Sequence, residues 1–212
     1  MLLNYYTIKQ DGEYEIEIKK SRFICTLKRI ESEAEAKEVI NKLKKIHWKA
    51  AHNCSAFVLG NNQEIQRSSD DGEPSGTAGV PMLEVLKVKQ LHNVLAVVTR
   101  YFGGTKLGAG GLIRAYGQSV ADAITHVGLV EGKLQQEILI TVDYPIHGKL
   151  EHFLQQESIT IADTHFTDKV TIICKVDEQD IESFKQEIIN LLSNQCLISS
   201  GSMSYTELPC NN

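Results

Sequence analysis

The chain has 212 residues, of which 42% are hydrophobic and 23% charged, and its formal net charge is −5. This composition is typical of a soluble globular protein with one large domain or two ordinary ones. No apolar run approaches the about 20 residues that a membrane span requires, and the first residues lack a secretory signal pattern. We therefore expect a cytoplasmic protein with no membrane partner.

Cysteine spacing and charge distribution constrain the chain further. The five cysteines are scattered and form no C-x-x-C pair, so neither a disulfide framework nor a zinc site is predicted. Residues 1–131 carry 17 basic and 15 acidic side chains, whereas residues 132–212 carry 5 and 12. This asymmetry predicts two modules, 1–131 and 132–212, with a boundary near the glycines at 128 and 132.

Strands and helices alternate along the first module. Polar and apolar residues alternate over residues 14–30, which predicts two strands joined by a turn at 19–22. Ser32, followed three residues later by Glu35, is a capping-box pattern that marks a helix start. The remaining predictions are strands at 52–60, 64–68 and 94–99, a helix opened by Pro81, and a helix from Leu112 to Val127 that stops at Gly128.

The second module has the order strand, helix, strand, strand, helix, strand. Alternating residues predict strands at 138–142 and 170–176, with another beginning at 159 and a last one at 197–205. Pro145 and Asp177 mark the helix starts. This β-α-β-β-α-β order is that of the split ferredoxin-like unit, so we expect an α+β protein whose second module has that fold.

A glycine-rich, cationic segment is the strongest functional signal. No acidic residue occurs between Glu84 and Asp122, yet six of the fifteen glycines lie within residues 103–117. Main-chain N–H groups near a helix start, beside fixed cations, favour an anion such as phosphate. The alternative is a tight strand–helix connection that uses glycine only for packing. The predicted anion or nucleic-acid site comprises Arg100, Tyr101, Gly103, Gly104, Lys106, Gly108, Gly110, Gly111 and Arg114.

An acidic loop precedes this segment. Asp70, Asp71 and Glu73, with His52 nearby, could serve as turn formers or caps, or hold a divalent cation. A third alternative is internal pairing with Arg100 or Arg114. The spacing does not match an EF-hand, so neither a metal nor another cofactor is expected.

Two further patterns allow other chemistry. Ser75 or Thr77 with His52 would suit a hydrolase, although no G-x-S-x-G elbow is present. Tyr101, Phe102 and Tyr116 flank the cations, and aromatic rings in that setting can stack on unpaired bases. Aromatic residues beside a buried strand are more often part of the core.

Two long strings resemble the signature stretches of the IMPACT/YigZ family. They are Asp-Asp-Gly-Glu-Pro-Ser-Gly-Thr-Ala-Gly at residues 70–79 and Arg-Tyr-Phe-Gly-Gly-Thr-Lys-Leu-Gly-Ala-Gly-Gly-Leu-Ile-Arg-Ala-Tyr at residues 100–116. The strings at 20–23 and 51–56 also match the style of the family. Thr105 departs mildly, since a branched aliphatic residue is more usual there. The resemblance covers essentially the whole chain.

The resemblance implies both a fold and a function. It implies a first domain similar to domain IV of elongation factor G, a two-layer β-α fold, and a second domain similar to the ferredoxin-like domain V of that factor. The resemblance implies a protein partner of translational control, as for the eukaryotic members, which act as translational regulators. The likeness of the fold to elongation factor G domains implies RNA or the ribosome as the partner of bacterial members. We therefore expect a non-enzymatic binding protein with no catalytic residues. The alternatives are a metal-dependent hydrolase or phosphoryl-transfer enzyme, and a protein–protein adaptor whose acidic second domain selects the partner.

Overall fold

The computed structural model describes residues 2–210 and has the predicted α+β fold class. No helix within these residues is long and apolar enough to cross a membrane. The first part of the chain forms β1 (Asn4–Ile8), β2 (Gly12–Ile18), β3 (Ser21–Arg29), α1 (Glu33–Ile46), β4 (His52–Leu59), β5 (Ile65–Ser69), α2 (Gly79–Val88), β6 (Val94–Tyr101) and α3 (Ala109–Val127). The second part forms β7 (Leu129–Val142), α4 (Tyr144–Gln156), β8 (Thr160–Phe166), β9 (Val170–Asp177), a 3-10 turn (Glu178–Asp180), α5 (Ile181–Leu191) and β10 (Leu197–Pro209).

The described chain divides into two compact units. The first contains residues 5–131 and 208–210, and the second contains residues 2–4 and 132–207. The chain ends therefore differ from the predicted division of 1–131 and 132–212. The reason is backbone pairing inside each unit: Leu134 N donates to Leu3 O, and Cys210 N donates to Leu129 O.

An antiparallel sheet of order β2-β3-β6-β4-β5 organises the first unit. Its central strand β6 is buried on both faces, as its run of branched apolar residues predicts. Leu95 and Val97 face α1, whereas Ala96 and Val98 face α2 and α3. Helix α1 thus adds a third layer to the two that the family resemblance implies.

Local sequence signals position α1 and the first hairpin. The Ser32 hydroxyl accepts a hydrogen bond from Glu35 N, which confirms Ser32 as the cap, while the Glu35 carboxylate accepts one from Glu31 N, one residue before the cap. In the hairpin, Ile18 pairs with Ser21, so Lys19 and Lys20 form a two-residue turn. Their φ angles are 48° and 65°, and positive values at both turn residues define a type I′ turn.

The second unit has the ferredoxin-like order β10-β7-β9-β8, and β1 also pairs with β7. Helices α4 and α5 bury Leu150, Leu154, Phe184 and Ile188 in the core that lies over the sheet. The α-β order was predicted from periodicity, but β1 was not, and β7 begins at Leu129 rather than near 138. The first part of β7 is a strand because it pairs with β1. The local sequence, which contains a glycine at 132, does not predict this pairing.

Candidate nucleic-acid interface

The glycine-rich segment connects β6 to α3 through residues 102–108. Gly104 and Gly108 have φ angles of 86° and 73°, a region that glycine occupies without steric cost. Gly108 is the N-cap of α3, and its carbonyl accepts a hydrogen bond from Leu112 N. The segment therefore needs glycine to turn directly from a buried strand into a long helix.

Gly103 brings the segment against the β2–β3 hairpin. A Cβ at this position would lie 2.0 Å from both the carbonyl carbon and the oxygen of Lys20, so only glycine allows the approach. Gly103 N also donates to the Ser21 hydroxyl at 3.2 Å. As a result, the Lys19-Lys20 turn lies beside the loop that leads into α3.

A groove of about 270 Å³ lies between this hairpin and α3. Lys19 and Arg114 contribute positive charge to it, and Ile18, Leu107 and Ala115 contribute apolar surface. Ile18 and Leu107 also pack against the main core of the first unit, which holds them in place. No acidic side chain lines the groove, whose described residues are Ile18, Lys19, Leu107, Gly111, Arg114, Ala115 and Gln118.

Four cations at or beside this groove keep their charges available. Lys19, Lys20, Lys106 and Arg114 are exposed, and within residues 2–210 their side chains form no hydrogen bond or ion pair. The hairpin contact at Gly103 places Lys20 on the neighbouring turn, and Lys106 lies in the loop. We call these four residues the cationic patch.

In the described part of the chain, no side chain neutralises the start of helix α3. Its first turn contains no acidic residue and its N-cap Gly108 has no side-chain cap. Helix α2 differs, because the Asp70 carboxylate accepts hydrogen bonds from Gly76 N, Ala78 N and Gly79 N at its start. The partial positive charge of the α3 N-terminus therefore adds to the cationic patch, whereas that of α2 is already satisfied.

The expectation that Arg100 binds an anion is wrong in this structure. Arg100 is only 5% exposed, and its Nη1 donates to Glu73 Oε1 at 2.6 Å. Its guanidinium also lies 5.3 Å from the ring centre of Phe23 and 5.6 Å from that of Phe102. The internal-pairing alternative describes Arg100 correctly, because the residue ties β6 to the acidic loop.

Glu73 is the centre of a buried polar cluster. Its Oε1 also accepts a hydrogen bond from the Tyr116 hydroxyl at 2.7 Å, and its Oε2 lies 3.8 Å from His52 Nε2. Burial, with the neighbouring Cys54 and Glu73, raises the pKa of Tyr116, so its hydroxyl remains a donor. The cluster holds the acidic loop against α3 and belongs to the interior of the first unit.

The acidic loop does not assemble a metal site. Asp70 is occupied by the start of α2, while Asp71 accepts from Asn53 N and pairs with Lys44. Glu73 faces Arg100, so the three carboxylates point to separate partners. Within the part of the chain that the structure describes, no group of three His, Cys, Asp or Glu side chains could hold a metal ion.

The hydrolase alternative also lacks its geometry. His52 Nδ1 lies 2.9 Å from Asp71 O, and the Thr77 hydroxyl donates to Pro74 O at 2.6 Å. Among residues 2–210 no hydrogen bond joins His52 to Ser75 or Thr77. A nucleophile and its base are therefore not brought together here.

The flanking aromatic residues separate into different environments. Tyr116 is fully buried and packs edge-on against Phe23. The Tyr101 hydroxyl lies 3.0 Å from His47 Nδ1, and Arg22 lies over its ring. Phe102 is the only exposed residue of these three, at 53%.

Sequence reasoning missed Lys19 and Lys20 as members of this surface. They lie more than eighty positions from Lys106 along the chain. Their turn was predicted from the sequence, but the segment that it contacts was not. Gly103 was named for glycine freedom, not for the contact with Lys20 that joins the two segments.

The family of the chain follows from comparison with known proteins. The family model described as the Impact N-terminal domain matches residues 19–124, and the model described as Domain of unknown function (DUF1949) matches residues 140–195. The chain is 49% identical over 211 residues to the IMPACT family member YvyE of Bacillus subtilis, covering 100% of this chain and 97% of that protein. The chain belongs to the IMPACT family.

Two other comparisons extend this result. A protein described as an IMPACT homolog in Dictyostelium discoideum is 42% identical over 95 residues, covering 42% of this chain and 27% of that protein. A solved structure titled as that of a hypothetical protein has a TM-score of 0.59 and 28% identity, covering 95% of this chain and 99% of the other. The second comparison is consistent with the two-part α+β fold described above.

Proposed function

We propose that this protein binds RNA, in the context of the ribosome, through the cationic patch, and that it acts in translational control without catalysing a reaction. The observation that carries the proposal is the groove between the hairpin and α3, which Lys19 and Arg114 line and which no acidic side chain of residues 2–210 lines. Membership of the IMPACT family supports the translational context, since eukaryotic members resembling this chain regulate translation.

Phosphate chemistry explains why these residues suit RNA. Each exposed cation that approaches a phosphate releases a condensed counterion, which favours binding at low salt. Four unpaired cations contributed by three separate segments can contact successive phosphates of an RNA backbone. A single free anion would need fewer cations. The uncapped α3 start adds main-chain donors that suit a phosphate oxygen.

Co-sedimentation of the intact protein with ribosomes at two ionic strengths tests the proposal, together with titration of a short labelled RNA. We expect affinity to fall steeply with salt. Replacing Lys19, Lys106 or Arg114 by alanine should reduce the slope of log K against log salt by about 0.7 for each lost contact with single-stranded RNA.

Lys37→Ala provides a matched control. Lys37 is an exposed cation on α1, which covers the opposite face of the sheet from α3. It should leave the slope unchanged. Salt-independent binding, or no association with either RNA or ribosomes, would reject the proposal, and recovery of a protein partner alone would favour the adaptor alternative.

A further inference from the structure

The groove beside the cationic patch combines two chemistries that a phosphate site alone does not need. Its cations, Lys19 and Arg114, suit a phosphate, but Ile18, Leu107 and Ala115 line it with apolar surface. A duplex presents its phosphates outward and keeps its bases stacked inside. An apolar surface between two cations therefore has little use for a double-stranded ligand.

We propose that the groove holds one unpaired nucleotide, with its phosphate between Lys19 and Arg114 and its base against Ile18 and Leu107, above the buried Ala115. This inference rests on the proposed function and specifies its ligand as single-stranded RNA. The volume of about 270 Å³ has the scale of a single nucleotide. The base would gain apolar contact whatever its identity, because every base has a π-face.

The apolar surface is rigid enough to serve this purpose. Ile18 ends strand β2, and both Ile18 and Leu107 pack on the core formed by β3, β6 and α3. Ala115 is 1% exposed, so it lies in the buried floor of the groove and does not move. Little side-chain entropy remains to be lost when a base enters.

Gly111 keeps the groove open. A Cβ at Gly111 would lie 3.0 Å from Leu107 Cβ, so an alanine there pushes against the apolar wall of the groove. A Cβ at Gly117, on the same helix, meets only Val85 at 3.9 Å, which is ordinary contact. Gly111→Ala and Gly117→Ala therefore make the same chemical change in α3, but only the first alters the groove.

The test compares poly(U) with a poly(A)·poly(U) duplex of equal length, using intact wild-type protein and both alanine variants. Wild type should prefer the single strand by at least about fivefold, the effect of stacking one base. Gly111→Ala should reduce that preference, while Gly117→Ala keeps it. Leu107→Ser, which removes apolar contact without adding bulk, should also reduce it. Circular dichroism establishes that each variant is folded.

The outcomes separate this inference from the proposed function. Equal wild-type affinity for the two RNAs would overturn the inference and leave RNA binding through the cationic patch intact. An unchanged preference in both Gly111→Ala and Leu107→Ser would also overturn it, since the base would then lie elsewhere. Absence of any RNA binding would overturn both proposals. Arg114→Gln should weaken the binding of both RNAs to a similar degree.

Discussion

Arg100 and Arg114 belong to the same glycine-rich segment, yet their guanidinium groups have different surroundings. Arg100 is buried and paired with Glu73, whereas Arg114 is exposed and lines the groove. The first is expected to determine stability and the second RNA affinity. A pair of substitutions can separate the two effects.

Arg100→Met should destabilise the first unit by about 3–5 kcal/mol, because it leaves the Glu73 carboxylate buried without its cation. Arg114→Gln, at an exposed site, should change stability by less than about 0.5 kcal/mol. Urea denaturation measures both values. RNA titration of the folded proteins should show the reverse order, with weaker binding only for Arg114→Gln. Equal loss of binding in a folded Arg100→Met protein would contradict this assignment.

Asp70 should make stability depend on pH. Burial alone would raise the pKa of Asp70, but the N–H groups of Gly76, Gly79 and Ala78 outweigh it and hold that pKa below the ordinary 3.8. The folded state therefore gains stability from the carboxylate above pH 3.8 and loses it as the pH falls through the folded-state pKa.

Asp70→Ala should cost about 1 kcal/mol at pH 7, because Asp70 caps α2. The difference between wild type and variant should shrink as the pH drops below 3.8, which denaturation curves across an acid series would show. Asp168→Ala, in an exposed turn, is the control and should have a small effect throughout. A difference that persists unchanged at low pH would contradict the role of the ionised carboxylate.

At the level of elements, the sequence predicts those helices and strands that depend only on a local residue pattern. The Ser32 cap, the α3 periodicity and the alternation in β9 depend on nearby residues, and each element appears where it was expected. Strand β1 and the first part of β7 depend on each other instead. Their backbone groups find partners only after distant segments meet, so neither has a strong local signature.

The candidate site shows the same division. The glycines of the β6–α3 connection could be predicted to adopt positive φ, and Gly104 and Gly108 do so. The burial of Arg100 could also have been anticipated, because it shares the strand face of Ala96 and Val98, which point into the core. The contact between the hairpin turn and the β6–α3 connection could not be predicted, because it depends on tertiary packing at Gly103.

For the whole molecule, the hydrophobic cores of the two units share no residue among those described. Each contains at least one fully buried cysteine that can report on its own unfolding: Cys25 and Cys54 in the first, Cys174 in the second. Burial raises the pKa of Cys54 and of Cys174 to about 12, so neither thiol reacts until its unit opens.

Pulsed thiol labelling in urea, read by mass spectrometry of peptides, should show Cys25 and Cys54 becoming reactive together. Arg100→Met should move that transition to lower urea and leave the midpoint of Cys174 unchanged, because it affects only the first core. A parallel shift at Cys174 would show that the two cores unfold as one cooperative unit.

The Lys19-Lys20 turn has a consequence for evolution and for engineering. A left-handed backbone costs a lysine about 1–2 kcal/mol, and the type I′ turn favours Asn-Gly instead. The double substitution Lys19→Asn and Lys20→Gly should therefore raise the melting temperature while weakening RNA binding. The two lysines would then be kept at a cost in stability because their charges bind RNA, and selection in the laboratory for thermal stability alone would tend to replace them.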